Sequence, residues 1–309
     1  MKKDLLSLKD LTQEDVSYIF ELAEGLKSGV GAFERPLSGK SVGLIFQKPS
    51  NRTRLSFEVG VFQLGGNAIY MTGDDIKLGV RESIKDVAKV QSRYLDGIVA
   101  RTFLHKDVVT LAKSADVPVI NGLSDLHHPC QALSDIFTLK EKFGRLANLT
   151  LAYVGDGNNV LHSLMYAAAL TGVNIKFSTP PGYEPKKDIF EDTKEIADKN
   201  KTDVVYFRDP DDAVKGADAV YTDVWTSMGQ EVEYEKRLKD FEAYQVNEKL
   251  FGKAKKDAVL MHCLPAHRGE EVTDELLDGP NSIVIEQAEN RLHVQKAILI
   301  IYIGGKKKR

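Results

Sequence analysis

Several short stretches of the chain gather residues suited to holding a small anion: Ser50-Asn51-Arg52-Thr53-Arg54, Arg101, His127-His128-Pro129-Cys130-Gln131, and Cys263 with His267-Arg268. An arginine fork matches phosphate oxygens, and a helix start adds free backbone N–H groups and the positive end of its dipole. Ser50 or Asn51 can cap a helix whose apolar face is Leu55, Val59 and Phe62, aiming the helix end and Arg52 at one point. That is a phosphate cradle; the plain alternative is an N-cap followed by two surface arginines. Arg52 and Arg54 lie two apart and diverge on a helix, so Arg52 is the ligand candidate and Arg54 a structural residue. Arg101 closes a short apolar run, either as a ligand or as an ordinary ion-pair partner. His128 and Gln131 flank Pro129 at a helix start, where ring and amide can face one cleft or the ring can simply cap. His127 reads as a surface residue.

The second half of the chain offers a different set. Gly155-Asp156-Gly157-Asn158-Asn159-Val160 follows a strand and opens a helix, but it fails as a dinucleotide fingerprint. Val160 stands where the third glycine is needed, and the next strand ends in Ser178-Thr179 without an acidic ribose ligand. Of that turn only Asn159 is expected to touch a ligand. Asp223, Ser227-Met228-Gly229 and Cys263 occupy similar positions just after strands, while Trp225 reads as packing. A zinc quartet of His128, Cys130, His262 and Cys263 is disfavoured, because His262 and Cys263 are strand neighbours pointing to opposite faces. Neither Cys-x-x-Cys nor His-Glu-x-x-His accompanies them.

The elements that must position these residues follow from periodicity. Leu11, Val16, Ile19, Phe20 and Ala23 recur at three- and four-residue spacing and predict a helix over 5–30. From residue 41, strands at 42–46, 68–71, 98–100 and 117–120 alternate with helices at 52 onward, 82–95, 106–114 and 129–143. A second series has strands at 149–154, 174–178, 203–207, 219–222, 258–262 and 282–285, a helix over 161–170 and a last helix from about 288. Such alternation predicts an α/β fold of two lobes, each a parallel sheet flanked by helices, with ligands at the carboxyl ends of the strands. The expected division is 1–140 and 141–287, the closing helix 288–309 packing back on the first lobe.

Composition agrees with this plan. At about 150 residues per domain, 309 residues predict two domains. Lys and Arg number 42 and Asp and Glu 45, and the resulting charge of −3 is too balanced for a nucleic-acid binder. Two cysteines, both in polar segments, argue against a disulfide framework and for a reducing cytosol. Charges interrupt the start before any leader-length apolar stretch, and no run approaches the ~18 apolar residues of a membrane span. Neither membrane nor nucleic acid is expected as a partner, and Lys306-Lys307-Lys308-Arg309 reads as a solvated terminus.

In this order, Ser50-Asn51-Arg52-Thr53-Arg54, Arg101, His128-Pro129-Cys130-Gln131 and His262-Cys263-Leu264-Pro265 resemble the motifs of the transcarbamoylases. Asp223-Val224-Trp225-Thr226-Ser227-Met228-Gly229 is similar to the ornithine branch of that family, since the aspartate branch carries a different loop there. The resemblance implies a cytoplasmic homotrimer, or a multiple of it, with its active site in the cleft between the lobes. It would join carbamoyl phosphate to the side-chain amine of L-ornithine, giving citrulline and phosphate without metal or cofactor, in arginine synthesis by default. By matching positions, Ser50, Asn51, Arg52, Thr53, Arg101, His128 and Gln131 would hold carbamoyl phosphate. Asn159, Asp223, Ser227 and Met228 would hold ornithine, and Cys263, Leu264 and Arg291 would complete the reacting centre. Arg52, Arg101, His128 and Cys263 form the implied catalytic set, and Lys77 would serve carbamoyl phosphate from a loop shared across subunits. Two positions depart from the pattern: Asn51 stands where the family usually has Thr, and Lys77 where ornithine enzymes usually have Gln or His.

That chemistry suits these residue types. Phosphate and a developing oxyanion call for cationic donors, read as Arg52, Arg101 and His128, while Gln131 can accept from the carbamoyl amide. An amine like that of lysine, with pKa about 10.4, is neutral at pH 7 at a cost of ~4.6 kcal/mol, from ~3.4 units at ~1.36 kcal/mol each. A closing loop that strips its water lowers this cost, and Cys263 is placed to contact the nitrogen. The rival readings are a carbamoyltransferase for putrescine, N-acetylornithine or aspartate, an NAD-dependent dehydrogenase, and a non-catalytic two-lobed binding protein.

Overall fold

Every residue of the strand Gly97–Arg101 is buried, which requires a sheet covered on both faces. The protein is described by a computed structural model covering residues 3–29, 35–226 and 231–305. Its contacts divide the chain into two units, Met1–Ser134 with Asn290–Arg309, and Asp135–Glu289.

The first unit holds β1 (Ser41–Phe46), β2 (Asn67–Thr72), β3 (Gly97–Arg101) and β4 (Val119–Leu123), all parallel, in the order β2-β1-β3-β4. The second holds β5 (Thr150–Val154), β6 (Asn174–Ser178), β7 (Val204–Phe207), β8 (Ala219–Thr222) and β9 (Val259–His262), again all parallel, in the order β7-β6-β5-β8-β9. Each sheet therefore reverses its winding once, between β1 and β3 and between β5 and β8. A reversal opens a crevice at the carboxyl ends of the strands, where ligands of such sheets bind. Ser50 to Thr53 follow β1 and Arg101 ends β3; Asn158 follows β5, Asp223 follows β8 and Cys263 follows β9.

Helices seal each sheet. In the first unit Ile45, Ile98, Ala100 and Val119 pack with Val87, Ala88 and Leu111 of the helices Ile84–Gln91 and His105–Ser114. In the second, Ala152, Val154, Val220 and Leu260 pack with Tyr244, Leu250, Val272 and Leu277. Among the described residues, no helix is long and apolar enough to cross a membrane.

Four expectations about elements need correction. The first long helix is Gln13–Lys27, started by a Thr12–Asp15 capping box, so it does not begin at residue 5. Leu5 instead makes a parallel bridge to Ile120, its N–H donating to the Val119 carbonyl at 3.0 Å, and extends the sheet edge that β4 would otherwise leave bare. Residues 282–285 are no strand: Ser282 makes one bridge to Leu260 and the last helix, Val284–Tyr302, starts at once. The polar helix Lys187–Asn200 was not foreseen. Finally, the helix Asn51–Gln63 buries Thr53, Phe57, Gly60 and Val61, whereas Leu55, Val59 and Phe62 are 50%, 39% and 79% exposed. Gly60 fixes this orientation, since a Cβ there would come within 3.3 Å of Lys296 and 3.6 Å of Leu299 on the last helix.

Candidate active site

The first unit gathers the candidate anion ligands around one helix start. Ser50 is extended and its Oγ accepts the Thr53 N–H at 3.3 Å, capping a helix with no acidic residue in its first turn to offset the dipole. Arg52 is half-buried beside this start. Thr53 is fully buried, and its Oγ1 accepts a hydrogen bond from Arg291 Nη2 at 2.7 Å. Arg101, His128 and Gln131 are buried at the ends of β3 and at the start of the helix Pro129–Phe143. Burial first, then the Arg291 and Arg101 guanidiniums, hold the His128 pKa well below its ordinary value. Burial and the two neighbouring guanidiniums thus favour the neutral ring over the cationic donor expected from the sequence.

Asn51 and Lys77 stand exposed, Lys77 in the left-handed conformation (φ 42°) that closes the short helix Gly73–Ile76. Arg54 pairs with Glu58 at 3.0 Å and lies over the Tyr70 ring at 3.9 Å. His127 is not a surface residue: it is 6% exposed, its ring set edge-on to His105 and its N–H donating to Ser124 Oγ at 3.2 Å. Cys130 is buried, its thiol pushed up to about 12 by burial, and donates to the Asn121 carbonyl at 3.6 Å.

The second unit brings the Asp223 carboxylate against the Cys263 thiol. Gly157 lies so close to the following chain that a Cβ would meet the Tyr183 carbonyl at 2.4 Å, so only glycine permits this turn. Beside it Asn158 accepts the Val160 and Leu161 N–H groups at 2.9 and 3.3 Å and donates through Nδ2 to Asp223 Oδ2 at 2.8 Å. Asn158, and not Asn159 alone, is thus the residue of this turn that reaches the site; Asn159 opens the helix Asn159–Thr171, half-buried. The other Asp223 oxygen accepts the Val224 N–H and the Cys263 thiol, both at 2.9 Å. Burial and then Asp223 push the Cys263 pKa well above its ordinary value, so it is a thiol and not a thiolate.

Supporting groups surround this pair. Leu264 has φ 56° and a cis bond to Pro265, and its N–H donates to His262 Nδ1 at 2.8 Å, while His262 Nε2 faces the fully buried Glu271 at 3.2 Å. Arg237, stacked over Tyr183, donates to Asp156 at 3.1 Å and to the Trp225 carbonyl at 2.7 Å. Trp225 is buried against Phe241. Ser227 and Met228 lie outside the described residues. Among the described residues, His267, Glu270 and Glu271 have metal-ligand spacing, none of them a member of the quartet weighed from the sequence.

Three arginines and a helix start can neutralise a phosphate dianion, and a buried carboxylate beside a neutral thiol can take an ammonium and contact an amine. The comparisons with known proteins agree with both halves. Residues 3–141 match the family described as aspartate/ornithine carbamoyltransferase, carbamoyl-P binding domain, and residues 147–302 its Asp/Orn binding domain. Ornithine carbamoyltransferase of Thermococcus kodakarensis is 53% identical over 98% of this chain and 97% of its own. The anabolic enzyme of that name from Pyrococcus furiosus is 52% identical over 98% and 97%. The solved structure of ornithine carbamoyltransferase from Pyrococcus furiosus superposes with a TM-score of 0.95, covering 98% of each chain at 52% identity. The anabolic enzyme from Campylobacter jejuni follows with a TM-score of 0.91 at 36% identity, covering 97% of this chain and 98% of its own.

Proposed function

The chain belongs to the aspartate/ornithine carbamoyltransferase family, and on that premise we propose how its residues divide the reaction between them. The activity is transfer of the carbamoyl group of carbamoyl phosphate to the side-chain amine of L-ornithine, giving L-citrulline and phosphate for arginine biosynthesis. Residues 1–140, with the last helix, form the carbamoyl phosphate-binding domain, and residues 141–287 the ornithine-binding domain.

Carbamoyl phosphate sits on Ser50, Asn51, Arg52, Thr53 and the free N–H groups of their helix, with its phosphate held by Arg52, Arg101 and Arg291. The buried guanidiniums stabilise charge as the phosphate leaves, so this reading calls for neither metal nor cofactor. Neutral His128 donates to the carbamoyl oxygen, where negative charge grows as the amine attacks, and Gln131 accepts from the carbamoyl N–H₂. Asp223 takes the ornithine α-ammonium, Asn158 and Asn159 present amides to the α-carboxylate, and Ser227 and Met228 bind the amino acid with them. Cys263 and the Leu264 backbone contact the reacting amine. The observation that carries the ornithine assignment is the meeting of Asn158, Asp223 and Cys263 at the β5–β8 reversal.

The enzyme works in the cytoplasm as a homotrimer or a multiple of it. Support for a subunit contact comes from Leu55, Val59 and Phe62, an apolar helix face left open to solvent. Lys77 acts from its loop on a neighbouring subunit's carbamoyl phosphate. Mixing the protein with carbamoyl phosphate and ornithine should release citrulline and phosphate one for one; phosphate without citrulline would overturn the reading.

A further inference from the structure

A closed chain of buried hydrogen bonds stands behind Cys263. The backbone N–H of His262 donates to Gln287 Oε1 at 3.0 Å, and Gln287 Nε2 donates to Asp135 Oδ1 at 2.8 Å. The second Asp135 oxygen accepts the Tyr221 hydroxyl at 3.1 Å. Asp135 and Tyr221 are fully buried and Gln287 is 1% exposed. Because a backbone donor occupies Oε1, the Gln287 amide has one orientation, and it must present N–H to Asp135. Both Asp135 oxygens then accept, which suits an ionised carboxylate. The Tyr221 ring cannot swing away, being stacked on Tyr153 with centroids 5.8 Å apart. Its hydroxyl, with its proton directed to Asp135, is among the groups that act on the Cys263 thiol.

We propose that Asp135, Tyr221 and Gln287 are positioning residues for Cys263, which fix the direction of its thiol and through it the seat of the attacking amine. The proposal deepens the reading above and rests on it. Gln287 ties His262, the last residue of β9 and the chain neighbour of Cys263, to Asp135, so the end of that strand and the Tyr221 hydroxyl share one anchor. The titratable groups that act on the thiol are Asp223, in direct contact, with Asp135, Tyr221 and Tyr153 around it. Burial, and then the two carboxylates among them, keep the thiol protonated, and its S–H is directed to Asp223 Oδ1. The sulfur lone pairs are left for an N–H of the substrate. Asp135 touches no substrate in this arrangement; it acts by holding Tyr221 and Gln287 in place.

The chain makes predictions of opposite sign, which a merely structural role would not. The test alkylates Cys263 with iodoacetamide at mildly alkaline pH in the full-length protein, reads the site by peptide mass spectrometry, and uses buried Cys130 as the unreactive reference. Asp135→Asn removes a nearby negative charge and should speed alkylation about tenfold, while Tyr221→Phe keeps the ring, removes the hydroxyl whose proton turns from Asp135 to the sulfur once the thiol ionises, and should slow it about threefold or more. In both variants KM for ornithine should rise and kcat fall, with KM for carbamoyl phosphate within about twofold of the parent. Should Asp135→Asn fail to fold, the isosteric Tyr221→Phe decides alone. Cys263 reactivity and ornithine kinetics unchanged in Tyr221→Phe would overturn the proposal. A parent protein that makes no citrulline would instead sink the underlying reading, so the two failures are distinct.

Discussion

Arg291, 238 residues further along the chain, donates to the Thr53 hydroxyl at 2.7 Å. The bond joins the last helix to the first turn of the cradle helix and gives a buried guanidinium a fixed direction. Thr53→Val keeps the shape and removes the acceptor. A buried charged donor left unsatisfied costs about 1–3 kcal/mol, and the same loss in binding raises KM for carbamoyl phosphate about tenfold. Urea unfolding and steady-state kinetics with carbamoyl phosphate varied should show both changes, with KM for ornithine held. An unchanged KM for carbamoyl phosphate would remove Arg291 from the site.

His128 gives a pH signature. Its pKa is lowered in the folded protein by burial, Arg291 and Arg101, whereas the unfolded chain protonates near the ordinary 6.5. The unfolded state therefore binds more protons below that pH, and His128 contributes stability above it that is lost as pH falls. Imidazole NMR shifts should stay those of a neutral ring throughout the region of ordinary histidine titration. A ring that titrates near its ordinary value would contradict a neutral donor.

Asp156 works in the opposite sense. Burial raises its pKa to about 6 against the pull of Arg237, so between about pH 4 and 6 the folded state holds the extra proton. Stability from this group is present below the unfolded value, 3.8, and is lost as pH rises through about 6. Asp156→Asn removes that dependence. Its stability deficit relative to the parent should shrink by up to ~3 kcal/mol between about pH 4 and pH 7 in denaturant titrations. A deficit that widens with pH would mean that the Arg237 pair outweighs desolvation.

Lys77 is exposed on its own chain, in a left-handed turn. If it serves a neighbouring site, inactive Lys77→Ala and Arg52→Ala subunits should regain activity when mixed under exchange, because some sites then hold both residues intact. No recovery despite demonstrated mixing would make each subunit self-sufficient.

Much of the fold was legible because parallel strands read as short apolar runs between helical stretches, as in Ser41–Phe46 and Ala219–Thr222. The failures have physical causes. The helix Asn51–Gln63 is apolar on two faces, and periodicity alone cannot tell the stripe of Leu55, Val59 and Phe62 from the one that Gly60 docks on the last helix. Leu5 has the composition of a helix but pairs with a strand more than a hundred residues away. In the candidate site, polar residues just after the strands cluster in short motifs and could be named as candidates. Asp135 and Gln287 could not, being 152 residues apart and meaningful only through each other. Asn158 was hidden by its neighbour, since two adjacent asparagines at a helix start differ only in which one caps.

The claim that Asp223 and its neighbours recognise an α-amino acid is tested most directly by comparing kcat/KM for ornithine and putrescine. Putrescine keeps both amines and the chain but lacks the α-carboxylate, leaving the Asn158 and Asn159 amides without their partner. Sites built on such hydrogen bonds reject the lacking analogue by ~10⁴ or more. The account predicts a ratio of at least ~10⁴ in favour of ornithine, with trace products at most from putrescine, N-acetylornithine and aspartate. Comparable specificity constants for ornithine and putrescine would contradict it.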